Sequence, residues 1–523
     1  MLLVLVAVAT SAQERFERRP CMRFDESARA VTRSLPTINQ DWDPARTYRQ
    51  IVLLVEFADS TFSMDDPKTY YNNLLNLTTS NTRGGVGCAV DYFRDQSNGA
   101  FNLHFDVYGP IKVSQTAKKS GSGDNYGEAS VIEAIQKSID SLHVDYSPYD
   151  WNKDGEVEQV VLVACSYGGN GGANFTKFIW PNTGYVGSIT VGENLKACQY
   201  SISTELWPNA IPHGIGTICH EFAHCLGLPD IYPTDNSKYS MVDEWDLMDG
   251  GNYTCYGWNP PNFTALEKYL MGWLSIEEIS APTKITDLKP VADGGKAYKM
   301  TKEGNEFYLL ENRQQTGWDK GLPGKGLTVY HVDYDAKEWK YNNVNTSSKS
   351  RFELLYADGL DFDAWKALCT EKKMSQYVDQ ANRMNSRLLS TSPYPFVSDT
   401  LQVYQCSEIP MPLTNIQISD AGYISFDVEQ ATGIDTVVSD DDNDSWPKVV
   451  MKVAYEAEFL RRDACEKFIP SPAYLLVSGV AAALLACLLA EVCFRAAQFQ
   501  LVKEVFAPMF INVAGNLAAS YFP

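Results

Sequence analysis

At 523 residues the chain is longer than one hydrophobic core commonly serves, so two or more domains are expected. Hydrophobic content of 45% with 12% aromatics excludes a globally disordered polymer. A formal charge of −21 with a pI near 4.8 argues against nucleic acid as a partner, because its phosphates would be repelled.

From the start, Leu2 to Ala9 is an apolar run leading into Ala9-Thr10-Ser11-Ala12. This pattern predicts a secretory signal over 1–12, cleaved after Ala12 or Ala9, although no Lys or Arg precedes Glu14. A buried N-terminal strand is the alternative. Residues 13–45 are polar and charged without periodicity, as expected of an arm or a short pro-segment. Arg49 to Phe57 reads as a buried strand, Tyr70–Leu77 and Val90–Asp95 as helices, and Phe101–Val107 as an alternating strand. Ala129–Leu142 predicts an amphipathic helix with Val131, Ile132, Ala134, Ile135, Ile139 and Leu142 on its apolar side. Gln159–Ala164 is a second buried strand before a glycine-rich loop at Gly168–Gly172, with further helices near Gly216–Gly227 and Ala265–Trp273. Strands interleaved with helices predict an α/β (α+β) catalytic domain over 46–285.

From 286 to 430 the pattern changes to short apolar and aromatic runs punctuated by Gly, Pro and Asp. Strands are expected at Glu306–Glu311, Gly326–Val332, Leu413–Ile418 and Gly422–Val428, giving a β-rich, sandwich-like domain packed on the first. Residues 431–472 form an acidic linker and tail, marked by Ser439-Asp440-Asp441-Asp442-Asn443-Asp444. Residues 473–490 are almost wholly apolar, and eighteen residues of helix reach ~27 Å, just enough for a bilayer core. They are a candidate transmembrane anchor, with a buried or amphipathic helix as the alternative, and 491–523 are the C-terminal tail. Twelve cysteines, none in a C-x-x-C pair, do not make a disulfide-dense scaffold.

The most informative stretch is His220-Glu221-Phe222-Ala223-His224-Cys225-Leu226-Gly227-Leu228-Pro229-Asp230. Residues four apart share one helix face, so His220 and His224 can offer two imidazole nitrogens to one zinc ion. Glu221 lies between them, placed to take a proton from a metal-activated water. Gly227 permits the helix to stop and the chain to turn, bringing Asp230 back as the expected third ligand. Asp243 and Glu244 are the competing candidates, and an Asp230 that orients a zinc-bound histidine is the structural alternative. Cys219 and Cys225 project away from the histidine face, as packing residues would. Downstream, Trp245-Asp246-Leu247-Met248-Asp249-Gly250-Gly251 has the form of a methionine turn, in which Met248 lies under the zinc ligands of metzincins.

A second metal site is suggested by Asp150, Asn152, Asp154, Glu156 and Glu158 around Gly155, the D-x-N-x-D-G opening of a calcium loop. Val161 stands where an EF-hand carries its twelfth-position Glu, so the competing reading is an ordinary Asx-rich turn. His213 could line a cleft ahead of the helix or simply sit in a loop, and His331 reads as a packed strand residue.

With these motifs in order, the chain resembles the immune inhibitor A family of secreted bacterial metalloproteases from about Val52 to Val428. The resemblance is carried by Asp91-Tyr92-Phe93-Arg94-Asp95-Gln96-Ser97, by Ile218 through Tyr232, and by Leu247-Met248-Asp249-Gly250-Gly251-Asn252-Tyr253. It continues through Leu309-Leu310-Glu311-Asn312-Arg313-Gln314 and Leu322 to Asp333. It implies a metzincin-like zinc protease fold, endopeptidase activity on protein or peptide substrates, a zinc cofactor, calcium for stability, and export to the medium or cell surface. Residues after Glu429 depart from the family pattern. The expected function is therefore a secreted zinc endopeptidase with Glu221 as general base. The alternatives are an inactive protease-like adhesion module and a zinc hydrolase of non-protein substrates.

Overall fold

The computed structural model describes residues 42–77, 84–118, 127–172, 174–235, 241–346, 348–357, 393–394 and 409–430. The chain divides into two compact units, Met1–Tyr455 and Glu456–Pro523, and every described residue belongs to the first. The signal-like 1–12, nearly all of 13–45, the tail 431–472, the apolar 473–490 and the terminal 491–523 lie outside the described residues. Among the described residues no helix is long and apolar enough to cross a membrane.

The first half is built on a five-stranded sheet in the order β2-β1-β3-β5-β4. Its strands are β1 (Thr47–Glu56), β2 (Asn102–Lys112), β3 (Val160–Tyr167), β4 (Asn182–Gly192) and β5 (Leu195–Leu206). β1 runs parallel to β2 and β3, and β3 parallel to β5, with Val52 opposite Val161 and Val160 opposite Tyr200. Parallel strands buried on both faces read as continuous apolar runs, which is why Ile51–Val55 and Val160–Ala164 carry almost no polar residue. β4 breaks the pattern: it is antiparallel to β5 and forms the sheet edge.

Helices α1 (Pro67–Asn76), α2 (Ala89–Gln96) and α3 (Glu128–Asp140) connect the parallel strands. α3 buries Val131, Ala134, Ile135 and Ser138, the i, i+3, i+4, i+7 stripe of an amphipathic helix. Ile132 and Leu142, expected on that face, instead point to solvent. α4 (Gly216–Cys225) follows β5, and α5 (Ala265–Leu270) starts at a Thr264/Glu267 capping box.

Beyond α5 the chain is mostly strand. β6 (Ile276–Glu278), β8 (Ala297–Glu303), β9 (Glu306–Arg313), β10 (Gly326–Asp333) and β11 (Phe352–Leu354) make a second five-stranded sheet. β7 (Thr283–Leu288), β12 (Leu413–Ile418) and β13 (Ile424–Val428) make a three-stranded one, and a short helix α6 (Ala336–Lys340) follows β10. The expected domain boundary at 285/286 thus falls inside β7. Successive residues of a strand face opposite sides, and here both sides are occupied. Tyr308, Leu310, Leu327 and Val329 pack with Ile285, Leu288, Leu413, Ile416 and Phe426 of the small sheet. Leu309, Tyr330, Val332 and Phe352 join the core of the first half. The strands after α5 therefore share a core with the residues before them.

Candidate metal centre

α4 is buried over its whole length up to His224, unlike a surface helix with one apolar stripe. It lies against β5 and β4 on one side and the 3₁₀ turns of Gly250–Gly257 on another. The last turn is closed by the Gly227 N–H donating to the His224 carbonyl at 2.9 Å and the Leu228 N–H donating to the Ala223 carbonyl at 3.2 Å. Gly227 has φ 93°, the left-handed conformation that a glycine adopts without steric cost. This reversal returns the chain to the helix within three residues, at Asp230.

His220, His224 and Asp230 are all buried, and one ligand atom from each lies within 4.8 Å of the others. Asp230 Oδ1 stands 3.2 Å from His220 Nε2 and 3.4 Å from His224 Nε2. The opposite ring nitrogens are fixed by backbone carbonyls. His220 Nδ1 donates to the Leu247 carbonyl at 2.8 Å, and His224 Nδ1 donates to the Leu228 carbonyl at 2.6 Å. A carbonyl oxygen only accepts, so both Nδ1 atoms carry the proton and both Nε2 atoms face the carboxylate. Burial pushes the Asp230 carboxyl up, but the His224 and His220 rings outweigh it and hold the group well below the usual carboxylate range.

This arrangement fits a metal ion. Ligands ~2.0–2.1 Å from a tetrahedral zinc stand ~3.3–3.4 Å apart along the edges of the tetrahedron, which matches the observed 3.2 and 3.4 Å. A cation among these groups would be met by an Nε2 lone pair from each ring and by the carboxylate oxygen, while each Nδ1 proton stays on its carbonyl. Nitrogen and carboxylate donors are the set zinc takes when a position is left for water.

The supports of the three groups come from separate parts of the chain. Leu247, which holds His220, belongs to the methionine turn, where Met248 is fully buried and its carbonyl accepts from the Ile231 N–H at 2.8 Å. The ring of Tyr232 lies nearly parallel to that of His220, 6.5 Å between centroids. Asn342, after α6, accepts from the Asp230 N–H at 2.7 Å and donates to Asp230 Oδ2 at 2.7 Å. Glu221 is buried, and the Thr183 hydroxyl on β4 lies 3.0 Å from its Oε2 and 2.9 Å from its carbonyl oxygen.

Other candidates fall elsewhere. Asp243 and Glu244 lie in a 3₁₀ turn ahead of Met248 and are not part of the ligand group. Cys219 is fully buried, and Cys225 Sγ lies 3.6 Å from the Glu158 carbonyl oxygen. His213 stacks on Trp207 at 4.3 Å between ring centroids, and burial pushes its imidazole down to about 3. His331 lies between strand carboxylates, with Nε2 2.8 Å from Glu306.

The loop read as a calcium site is closed on itself. Asp150 accepts from the Asp154 and Gly155 amides, Asn152 Oδ1 from the Asp154 amide, and Asp154 from the Glu156 amide. Glu158 Oε2 accepts from the Trp151 amide at 2.6 Å. Among the described residues no three acidic groups of this loop bring their oxygens together as His220, His224 and Asp230 do. The geometry is that of the Asx-rich turn, the competing reading of the sequence.

Thr183 and Asn342 are the two contacts sequence reading does not find. Thr183 lies in a strand interrupted by glycines, and Asn342 in a short turn with no motif around it.

Residues 44–274 match the family described as immune inhibitor A peptidase M6, catalytic domain. Immune inhibitor A of Bacillus thuringiensis subsp. alesti is 24% identical over 292 residues, covering 45% of this chain and 42% of that protein. Pre-pro-metalloprotease PrtV of Vibrio cholerae serotype O1 is 23% identical over 305 residues, covering 49% of this chain and 32% of that one. The chain thus spans less than half the length of either relative. α4, Asp230 and the methionine-containing turn all lie within the matched segment, which is similar to the catalytic domain of that family.

Proposed function

We propose that the chain is an exported zinc endopeptidase that hydrolyses peptide bonds in proteins, with His220, His224 and Asp230 as zinc ligands and Glu221 as general base. The observation carrying this reading is that Asp230 Oδ1 stands at tetrahedral-edge distance from each of two Nε2 atoms, with both Nδ1 protons committed to carbonyls. The family match of residues 44–274 supports the peptidase class, and the names of the relatives support protein substrates.

Zinc held there supplies Lewis acidity, lowering the pKa of water toward ~7 and polarising the scissile carbonyl. The chain supplies the rest. His220 and His224 are locked as Nδ1–H tautomers and present Nε2 without rotamer freedom. Glu221, one residue along the same helix, takes the proton from the attacking water and returns it to the leaving amine. The Thr183 hydroxyl orients the Glu221 carboxylate toward that task.

The test is digestion of casein by wild-type and Glu221→Gln protein, with metal content measured on both. Wild type should lose activity to a chelator and regain it with zinc. Glu221→Gln should keep about one zinc per chain and lose activity by a factor of roughly 10² or more. Undiminished cleavage by the Gln variant, or wild type without bound metal, overturns the reading.

A further inference from the structure

We propose that Asn342 is a positioning residue of the metal centre, so that the centre is completed by a segment outside the family-matched catalytic region. The inference rests on the reading that His220, His224 and Asp230 hold a metal.

Asp230 and Asn342 are joined by two reciprocal hydrogen bonds, 112 positions apart in sequence. The side-chain oxygen of Asn342 accepts from the Asp230 backbone, and its amide nitrogen donates to Oδ2. With Oδ2 held by Asn342, Oδ1 faces the two Nε2 atoms. The carboxylate is thereby fixed as a one-oxygen ligand. Freed from the amide, it could rotate and offer both oxygens or neither.

The clamp is itself anchored. Asn342 has φ 59°, a conformation Asn adopts more readily than most residues. Its carbonyl accepts from the Thr234 hydroxyl at 2.8 Å, and Asn345 donates to the Ile231 carbonyl at 2.7 Å and the Phe352 carbonyl at 2.8 Å. Asn342 is buried, and so is Asn345. Residues 342–345 therefore hold Asp230, Ile231 and Thr234 while being tied to β11. Outer-sphere partners of this type set ligand orientation, and their loss commonly costs 10–100-fold in metal affinity.

The experiment uses the full chain. Zinc dissociation constants are measured by competition with a chromophoric chelator for wild type, Asn342→Gly, Asn342→Asp, Thr234→Val and His224→Ala. Visible spectra are recorded on the cobalt(II)-substituted proteins. Glycine keeps the left-handed backbone and removes both hydrogen bonds. Aspartate keeps the acceptor for the Asp230 N–H and sets a carboxyl oxygen where the donor to Oδ2 was. Both Asn342 variants should bind zinc roughly 10–100-fold more weakly and change the cobalt spectrum, with Thr234→Val, which loses only an anchor of the clamp, falling between them and wild type. If Asn342→Gly does not fold, Asn342→Asp decides alone. Wild-type zinc affinity and an unchanged cobalt spectrum in the folded Asn342 variants overturn this inference while His224→Ala still loses zinc. If His224→Ala binds zinc as wild type does, the metal-centre reading itself fails.

Discussion

Arg313 donates from Nε and Nη2 to the two carboxylate oxygens of Asp319, each at 2.7 Å, with both side chains sealed from solvent. Its other N–H groups reach the carbonyls of Trp245 and Asn262 and the carboxylate of Glu311. Trp245 leads into the methionine turn, so this one guanidinium ties β9 to the platform under His220. Removing one partner of a buried pair leaves the other charge uncompensated and costs about 3–5 kcal/mol. Arg313→Met should therefore shift the urea midpoint sharply downward, and Arg313→Lys should not rescue it, because Lys cannot reproduce the two-pronged geometry. An unchanged midpoint for Arg313→Met would show that the network carries little stability.

Thr183 has one hydroxyl proton and two acceptors on Glu221 within reach, the backbone carbonyl and Oε2. A hydrogen bond to a charged group contributes about 1.5–3 kcal/mol. Thr183→Val, nearly isosteric, is expected to lower kcat on a peptide substrate by roughly tenfold or more, with zinc affinity unaltered. Thr183→Ser should recover most of the loss. Equal kcat for the Val variant would remove Thr183 from any role in orienting the base.

The parts legible in sequence were those written in local pattern. The run at Ile51–Val55 and the alternation at Phe101–Val107 predict strands, and the structure has β1 and β2 there. His220, His224 and Asp230 are legible because helix periodicity and a single glycine reversal bring them together, all within eleven residues. β4 and β5 are not legible. Gly184 and Gly187 interrupt one, and Gln199, Ser201, Ser203 and Thr204 give the other a polar look although each is buried. Burial of those groups is a property of the sheet around them. Asn342 is invisible for a related reason: the contact that matters spans 112 positions and leaves no periodic trace. The D-x-N-x-D-G pattern at Asp150 shows the opposite risk. The same oxygens that could ligate calcium also close Asx turns on backbone amides, and spacing alone does not separate the two.

Beneath the methionine turn, Asp246 and Glu267 are fully buried facing carboxyls. Asp246 Oδ1 accepts from the Met248 N–H and Glu267 Oε2 from the Thr264 N–H, leaving Asp246 Oδ2 and Glu267 Oε1 sealed from water. Burial first, and then the neighbouring Glu267 charge, pushes the Asp246 carboxyl well up; burial raises Glu267 to about 7, against the hydrogen bond it receives from Asp246. The folded pair thus holds a proton that the unfolded chain releases above ordinary carboxyl pKa values. With folded pKa values raised, the stabilisation is complete at acidic pH and declines as pH rises from about 4.5 through 7. Its slope is at most about 1.4 kcal/mol per pH unit for one proton. Asp246→Asn supplies a permanent donor to Glu267 and should flatten the dependence. Urea midpoints of both proteins between pH 5 and 8 check this, and parallel curves would sink it.

Gly216 opens α4 where the helix meets the turns of Gly250–Gly257, and a Cβ there would sit inside the contact radius of the Asn252 carbonyl oxygen, a backbone atom with no rotamer to yield. Helix propensity alone favours Gly→Ala by about 1 kcal/mol, so the sign of the Gly216→Ala effect separates close packing from intrinsic preference. The backbone clash should dominate, destabilising the protein by about 1–3 kcal/mol. It should also displace α4 from the methionine turn, weakening the hold of Leu247 on His220 and with it the affinity for zinc. Gly294→Ala is the comparison. It has φ 73° and open space around its missing Cβ, so it should lose only the left-handed strain of about 1–2 kcal/mol and keep wild-type zinc binding. Thermal midpoints and zinc titrations of the two variants decide the matter. A Gly216→Ala protein that is as stable as wild type and binds zinc equally would show that the contact between α4 and Asn252 does not set the position of His220.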